Sequence, residues 1–584
     1  MAAARRVLAR FGWRPWHYLT LLLIHVDLLR FARMAGRYDW AWFFCPWADV
    51  LRISILKYHQ FPWWNPWSRA GQPLFAEPQI AVLMPDTLFV LMFGSVVGLK
   101  LVILFYLFVG YEGSRFLCRF LFGKDNFVDG LAIIPVILPA LALHLAVGHM
   151  VLLACYFFPW LLAFSMTWQR SRWYSLGLGV VCGAYAIYQI HYAIIISFTL
   201  ALPIALRGLT RGARSRDVWL QASLVACSAM GMGFLRLALT FPIIAGFPRV
   251  EPDLWHYPVV NSVSGVFGTL LDPLQTPFGG PSIAGLGWWE LGSYTGLCAL
   301  LLAYESLRSG ARNVWPIHLA AVVCLLCAWN NRDKAFPGYW MHVIPPWNHM
   351  VIPTRWRIFG SYFLLLAAVH GLIVLRKLGR VRTAVCLGMF VVMDLGFNTY
   401  YIYRGAFTTT APPYVAAKDP PMTADDPTED SWRTERMNRV AMEMETPLLG
   451  WGTHRPSRVP ATDPHYLGEF WGTKPVSVES WSPNRVLLVG TPGDTVTLNV
   501  NPSNYWLLNG QRLFPQYRAF EVDKPFRITV PPTGRMDLLL RPPHWELFTG
   551  IQALFVVASA FLFWLLKRTA KDNAAALAEP AIGR

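Results

Sequence analysis

Residues 38–85 read YDWAWFFCPWADVLRISILKYHQFPWWNPWSRAGQPLFAEPQIAVLMP, and the reading of this stretch decides the fold. It separates two apolar runs, yet it far exceeds the roughly 2–8 residues that usually join neighbouring helices of a bundle. A disordered loop would be polar, whereas this one is rich in Trp, Phe, Leu and Ile. It also carries the carboxylates Asp39 and Asp49, the aromatic run Trp63, Trp64 and Trp67, and prolines and glycine that fix a shape. The stretch is therefore expected to be a folded loop between two membrane spans and the seat of the chemistry.

The rest of the chain supports a membrane setting. Of 584 residues, 55% are hydrophobic and only 15% charged. Apolar windows of about 20 residues, the length that crosses a hydrocarbon core, recur along it. The formal net charge of +17 does not mark a nucleic-acid partner, because the basic residues are spread over short loops between apolar runs. That distribution follows the rule that cytoplasmic loops are basic. The nine cysteines imply no disulfide framework. Cys324 and Cys327 have CxxC spacing but lie in an apolar run without further ligands, which reads as buried small residues. The basic N-terminus precedes an apolar run without a small-residue cleavage site, so it reads as a retained first span.

Taken in order, the expected spans are 16–35, 86–113, a hairpin over 127–168 turning at Gly148 and His149, and a second over 174–206 turning near Gln189 and His191. Further spans start near Val218 and cover 291–304, 315–329, 356–375, 384–402 and 548–566. Segment 86–113 fits either one tilted helix or an interfacial helix followed by a span. The expected architecture is mostly α, a polytopic bundle of about 12 spans with an all-β, sandwich-like external domain before the last span. Its divisions are a transmembrane module 1–402 with the long external loop 36–85, an external domain 403–547, and a last span with a cytoplasmic tail, 548–584. Within 403–547 the first part, KDPPMTADDPTED, reads as a solvated linker. The second alternates in short runs such as RVLLVG, VTLNVN and FRITV, as an antiparallel β-sandwich does. Both termini fall on the cytoplasmic side.

The segment FPWWNPWSRAGQPLFAEPQIAVLMP, residues 61–85, resembles a signature of the YfhO-like bacterial membrane proteins, a family related to the GT-C glycosyltransferases. GHMVLLACYFFPW (148–160), WWELGSYTGLCALLLA (288–303) and VIPTRWRIFGSYFLLLAAVHGL (351–372) agree in order, as do ESWSPNRVLLVG (479–490) and RPPHWELFTGIQALF (541–555). The resemblance implies a bacterial inner-membrane enzyme that takes a sugar from a polyprenyl-phosphate carrier and passes it to a glycan, lipid or protein acceptor at the periplasmic face. It also implies an acidic residue in the first external loop, and Asp39 falls at that place. Three positions depart from the family pattern: Tyr38 stands where the family has Gly before the acid, FFCPW replaces a downstream Gln, and Val351 stands where an Arg is expected. These departures support the alternative of a non-catalytic accessory or scaffold subunit in a larger membrane complex. A transporter is the third reading, but no internal repeat supports it.

Displacing a sugar from a lipid phosphate needs a carboxylate to deprotonate the acceptor hydroxyl and cations to stabilise the departing phosphate. Asp39 is the candidate base; its alternative is an interfacial acid pairing with Arg37 or capping a helix. Glu290, behind Trp288 and Trp289, is the second catalytic candidate, its alternative a bystander in an interfacial Trp belt. Arg355 and Arg357 are expected to hold the donor phosphate or else to anchor lipid headgroups. Arg236 lies inside the apolar FLRLALTF and either pairs with a carboxylate or grips the phosphate. His149 is a candidate cavity-lining residue. Asp49 is a candidate substrate contact that also reads as the N-terminal acid of an interfacial helix. Trp63, Trp64 and Asn65 are candidate sugar or lipid contacts, with burial as the alternative for the rings. Asp27 and Arg30 share a helical face and are expected to pair. No residue is assigned to a metal, no cofactor is singled out, and a divalent metal is left open. No GxGxxG, P-loop, HExxH or GxSxG signature falls in a suitable setting, so nucleotide and protease chemistry have no support in the sequence.

Overall fold

A computed structural model describes residues 14–578 apart from 36–37, 69–70, 78, 189–191, 212–214, 247–267, 280–286, 313, most of 330–352, 415–420, most of 424–466, 502 and 514–525. The expected turn at Gln189 and His191, the acidic linker and Arg37 lie outside the described residues or largely so. The chain is mostly helical, with β-sheets near its C-terminal end. Among the described residues, six helices are long and apolar enough to cross a membrane: Ser95–Phe122, Met150–Arg170, Arg216–Pro242, Trp356–Lys377, Val381–Ala406 and Trp545–Thr569. Asn126–Val136 and Pro139–Val147, bent by 44° at their break, are either a broken seventh span or a re-entrant loop. The chain is thus a multi-pass membrane protein.

Among the described residues, helices also stand at the other expected positions, including Arg172–Tyr188, Tyr192–Arg211, Leu297–Arg308 and Trp315–Trp329. The first described helix, Arg14–Ile24, runs about 16 Å at 1.5 Å per residue. Beyond Ile24 the chain turns through a 3-10 segment, Val26–Leu29. There Asp27 is buried and paired with Arg30 at 3.0 Å. The backbone then forms a bridge between Met34 and Thr409. An α-helix continued to residue 35 would forgo these contacts, and for this reason the expected span 16–35 is helical only in its first half. Segment 86–113 follows the second of its two readings, a short helix Pro85–Phe93 and then Ser95–Phe122, broken at Gly94. Proline opens the first of these at a position where its missing N–H costs nothing.

Among the described residues, the β-region holds a parallel pair, Met422–Thr423 with Arg439–Val440, and two larger antiparallel sheets. The larger runs, in spatial order, Gln511–Arg512, Trp506–Leu508, Arg535–Leu540, Arg485–Val489 and Ser477–Ser482. The smaller runs Phe526–Thr529, Thr495–Leu498 and Phe470–Gly472. Met536 faces Leu488 and Leu538 faces Val486 across the central pair, and all four side chains are buried. Val496 and Leu498 of the smaller sheet are buried as well. This alternation is what the short apolar runs of the sequence require.

The long loop is packed between the bundle and these sheets. Within it lie the helix Cys45–Leu56 and a two-residue ladder in which Trp64 faces Pro73. Asn484 donates to Phe61 O at 2.6 Å, Gln60 donates to Ser482 Oγ at 2.8 Å, and Asn501 donates to Gly71 O at 2.8 Å. Trp64 meets Trp506 edge to face, and Trp67 meets Trp481 in the same way. The apolar loop therefore buries its aromatic surface against the β-region, and the helical bundle supplies the floor.

Candidate functional site

At the end of the helix Pro139–Val147 the chain reverses at Gly148, with φ +104°, and delivers His149 back beside His144. The two Nδ1 atoms are 2.8 Å apart. Only glycine fits this turn, because the backbone of Asp39 and Trp40 lies directly against it. Trp40 fastens the contact by donating its indole N–H to Leu145 O at 2.9 Å. Tyr38, immediately before, holds a left-handed φ of +57°. Its ring stacks on Phe278 and packs on Trp289 at 4.9 Å, which over-determines a conformation costing about 1–3 kcal/mol. These contacts aim Asp39 at the histidine pair, with Asp39 Oδ2 3.6 Å from His149 Nε2.

On the far side of the pair stands Glu290, in the short helix Trp288–Leu291. Its Oε2 is 3.9 Å from His144 Nε2. Arg355, from the turn before the helix Trp356–Lys377, holds the same carboxylate: Nη2 donates to Oε1 at 2.5 Å, and Nε lies 3.1–3.2 Å from both oxygens. Asp39, His149, His144, Glu290 and Arg355 thus form a continuous polar line from a part-exposed carboxylate into the core.

Arg357 lies beside the inner end of this line. It is fully buried, donating Nη1 to Leu291 O at 2.7 Å and to Thr269 Oγ1 at 3.2 Å. Its Nε and Nη2 are buried with no hydrogen-bond partner among the described residues. A buried guanidinium held only by dipoles is costly, and an anion would complete it. Along the same helix, Ile358, Phe359 and Tyr362 line a small apolar cavity together with Tyr156 and Phe158.

The structure brings Asp39, His149, Glu290, Arg355 and Arg357 together, and keeps the other named residues elsewhere. Asp49 lies within the helix Cys45–Leu56, buried and paired with Arg436 at 2.9 Å, so it is not an N-terminal acid. Arg236 is buried and donates to the carbonyls of Glu77 and Ile80 while its guanidinium covers the Phe75 ring. It therefore secures the end of the loop. Trp64 and Asn65 are buried, and Trp63 is half-buried against Phe61, Phe75 and Trp545. Cys324 and Cys327 are buried free thiols.

Sequence reasoning missed His144, which reads as one more residue of a buried apolar helix. The signal available was the spacing in HLAVGH, two histidines separated by a turn-forming glycine. Together His144, His149 and Glu290 offer ligand atoms within 4.8 Å of one another, a set able to hold a metal ion.

No family model and no curated protein matches the sequence. Among solved structures, the chain is similar to the arabinofuranosyltransferase AftD from Mycobacteria, at 14% identity and a TM-score of 0.37, over 67% of this chain and 27% of that one. It is also similar to ArnT from Cupriavidus metallidurans. The apo state aligns at 12% identity and a TM-score of 0.40, over 75% of this chain and 87% of that one. The form bound to undecaprenyl phosphate aligns at 12% identity and a TM-score of 0.36, over 74% and 86%. The chain spans little more than a quarter of AftD, and no residue's role is carried over from these overlaps.

Proposed function

We propose that the protein is a YfhO-like, GT-C-type glycosyltransferase that moves a sugar from a polyprenyl-phosphate carrier to an acceptor at the periplasmic face of the bacterial inner membrane. The observation that carries this reading is a polar line that begins at a part-exposed carboxylate, Asp39, and has beside its inner end a buried cation, Arg357, whose Nε and Nη2 have no hydrogen-bond partner among the described residues. The ordered sequence resemblance supports it further. In the proposed reaction Asp39 takes the acceptor hydroxyl proton and the acceptor oxygen bonds to the anomeric carbon. The bond from that carbon to the phosphate oxygen breaks, and the lipid phosphate leaves with the electron pair. Arg357 and Arg355 oppose the charge that develops on the phosphate, where a preorganised cation in a dry site is most effective. Glu290 keeps Arg355 in place.

The test is transfer from a polyprenyl-phosphate sugar in proteoliposomes. Asp39→Asn should lower turnover by at least a hundredfold while the protein still expresses and folds. Wild-type turnover in that variant would refute the assignment. The accessory-subunit reading is favoured instead if a stoichiometric protein partner co-purifies with a wild-type chain that transfers nothing.

A further inference from the structure

We infer that the outward face around Asp394 binds a membrane-spanning helix of a second protein, one that carries a lysine or arginine near its middle. Asp394 lies at the centre of the helix Val381–Ala406, about 20 Å from its first residue and about 18 Å from its last at 1.5 Å per residue. The whole helix, about 39 Å, outreaches a hydrocarbon core of about 30 Å by about 9 Å, so no offset brings the carboxylate within about 9 Å of an interface. An acid at that depth is costly and normally pairs with another polar group. Elsewhere in the chain that rule is met. Asp27, Asp49, Asp129 and Glu290 each hold an arginine. Asp86 accepts from the hydroxyls of Tyr106 and Tyr188. Asp394 has, among the described residues, one tyrosine hydroxyl: Tyr294 donates to Oδ1 at 2.7 Å. Oδ2 is turned to Gly296, where a Cβ would collide with it, so the fold gives this oxygen room but, among the described residues, no donor.

The surface around it suits a helix. Phe390, Met393 and Phe397, at i, i+3 and i+7, are exposed on the same helix as Asp394. Leu297, Leu301 and Tyr304, at i, i+4 and i+7, are exposed on the neighbouring helix Leu297–Arg308. Asp394 stands at the seam between the two rows, against Gly296 where the second helix begins. Lipid tails satisfy the apolar rows, but they offer no donor to the open oxygen, and that separates a docking face from an ordinary lipid-facing one. The charge also decides the occupant. A second copy docked through the same face would set Asp394 against Asp394, because a two-fold interface brings each patch against itself. Nor do the described spans of another copy offer the missing cation: Lys100 and Arg236 are buried, and Arg115 is paired with Glu112. What fits is a different helix whose mid-span ammonium or guanidinium donates to Oδ2 while its apolar flanks cover Phe397 and Leu301. Such docking goes beyond the transfer chemistry and holds whether or not the chain moves a sugar.

The experiment reconstitutes the full chain in liposomes with a leucine-based transmembrane peptide of about 20 residues carrying one central lysine, and reads fluorescence transfer between labels on chain and peptide. The lysine peptide should bind saturably, roughly tenfold or more tighter than its all-leucine form. Asp394→Asn keeps an acceptor for Tyr294 and removes the charge, so it should bring the lysine peptide down to the all-leucine level. Asp394→Lys should reverse the preference, taking a peptide with a central aspartate and rejecting the lysine one. Thermal melting checks that both variants fold. Equal binding of the lysine and all-leucine peptides by the wild type would overturn the inference and leave the face to lipid. Lysine-peptide binding unchanged in Asp394→Asn would overturn it too, as would a wild-type homodimer that excludes the peptide.

Discussion

Replacing Gly148 by alanine tests whether the first loop is seated on the histidine turn. A Cβ at this position would stand 2.4 Å from Trp40 N, 2.8 Å from Asp39 C and 3.0 Å from Asp39 Cβ. Ordinary contact begins at 3.4 Å, so the Asp39–Trp40 backbone must retreat by 3.4 − 2.4, that is 1.0 Å. No flexible side-chain end is present to absorb this. The left-handed backbone alone costs an L-residue roughly 1–2 kcal/mol, and overpacking adds about 1–3 kcal/mol. Gly379, with φ +79° and nothing within 4 Å of its Cβ, carries only the first of these costs. Chemical unfolding in mixed micelles should therefore show Gly379→Ala losing roughly 1–2 kcal/mol and Gly148→Ala roughly 2–5 kcal/mol. The same displacement should cut transfer by about a hundredfold, the usual effect of misplacing a reacting group by about 1 Å. Equal destabilisation by the two variants would refute the seating of the loop on the turn.

Glu290→Gln leaves the Arg355 guanidinium without its carboxylate in a buried site and should cost about 3–5 kcal/mol, read by the same unfolding assay. Adding Arg355→Gln should recover part of that loss, and strict additivity in the double-mutant cycle would contradict the pairing. Glu77 is buried at the far end of the loop, and burial pushes its carboxyl up to about 8 against the ordinary 4.5. The folded state therefore holds a proton that the unfolded chain releases, so stability should fall as pH rises from about 4.5 to 8. Glu77→Gln should flatten that slope in melting temperatures taken at about pH 5 and pH 8, and an unchanged slope would sink the assignment.

Much of this architecture could be read from hydropathy and charge. Apolar runs, the basic residues that punctuate them and the alternation near the C-terminus locate nearly every helix and strand, because each reports a local preference. Helix ends were less legible. The first helix stops at Ile24 because Asp27 is buried with Arg30 and Met34 pairs with Thr409, and only the second partner set reveals why. Site partners separated along the chain were invisible as pairs: Glu290 and Arg355 lie 65 residues apart, Asp49 and Arg436 387 apart. The acidic and basic members of the site stood out because charge in an apolar chain is costly. His144 did not, since a histidine within PALALHLAV reads as one more residue of a buried helix.

The most direct measurement of the central claim is mass spectrometry of the lipids that the gently purified chain retains, comparing the wild type with Arg357→Ala. The account predicts a polyprenyl-phosphate sugar on the wild type and its loss from the variant, with bulk phospholipid unchanged between them. The same bulk phospholipid on both, with no prenyl-phosphate sugar on either, would contradict it.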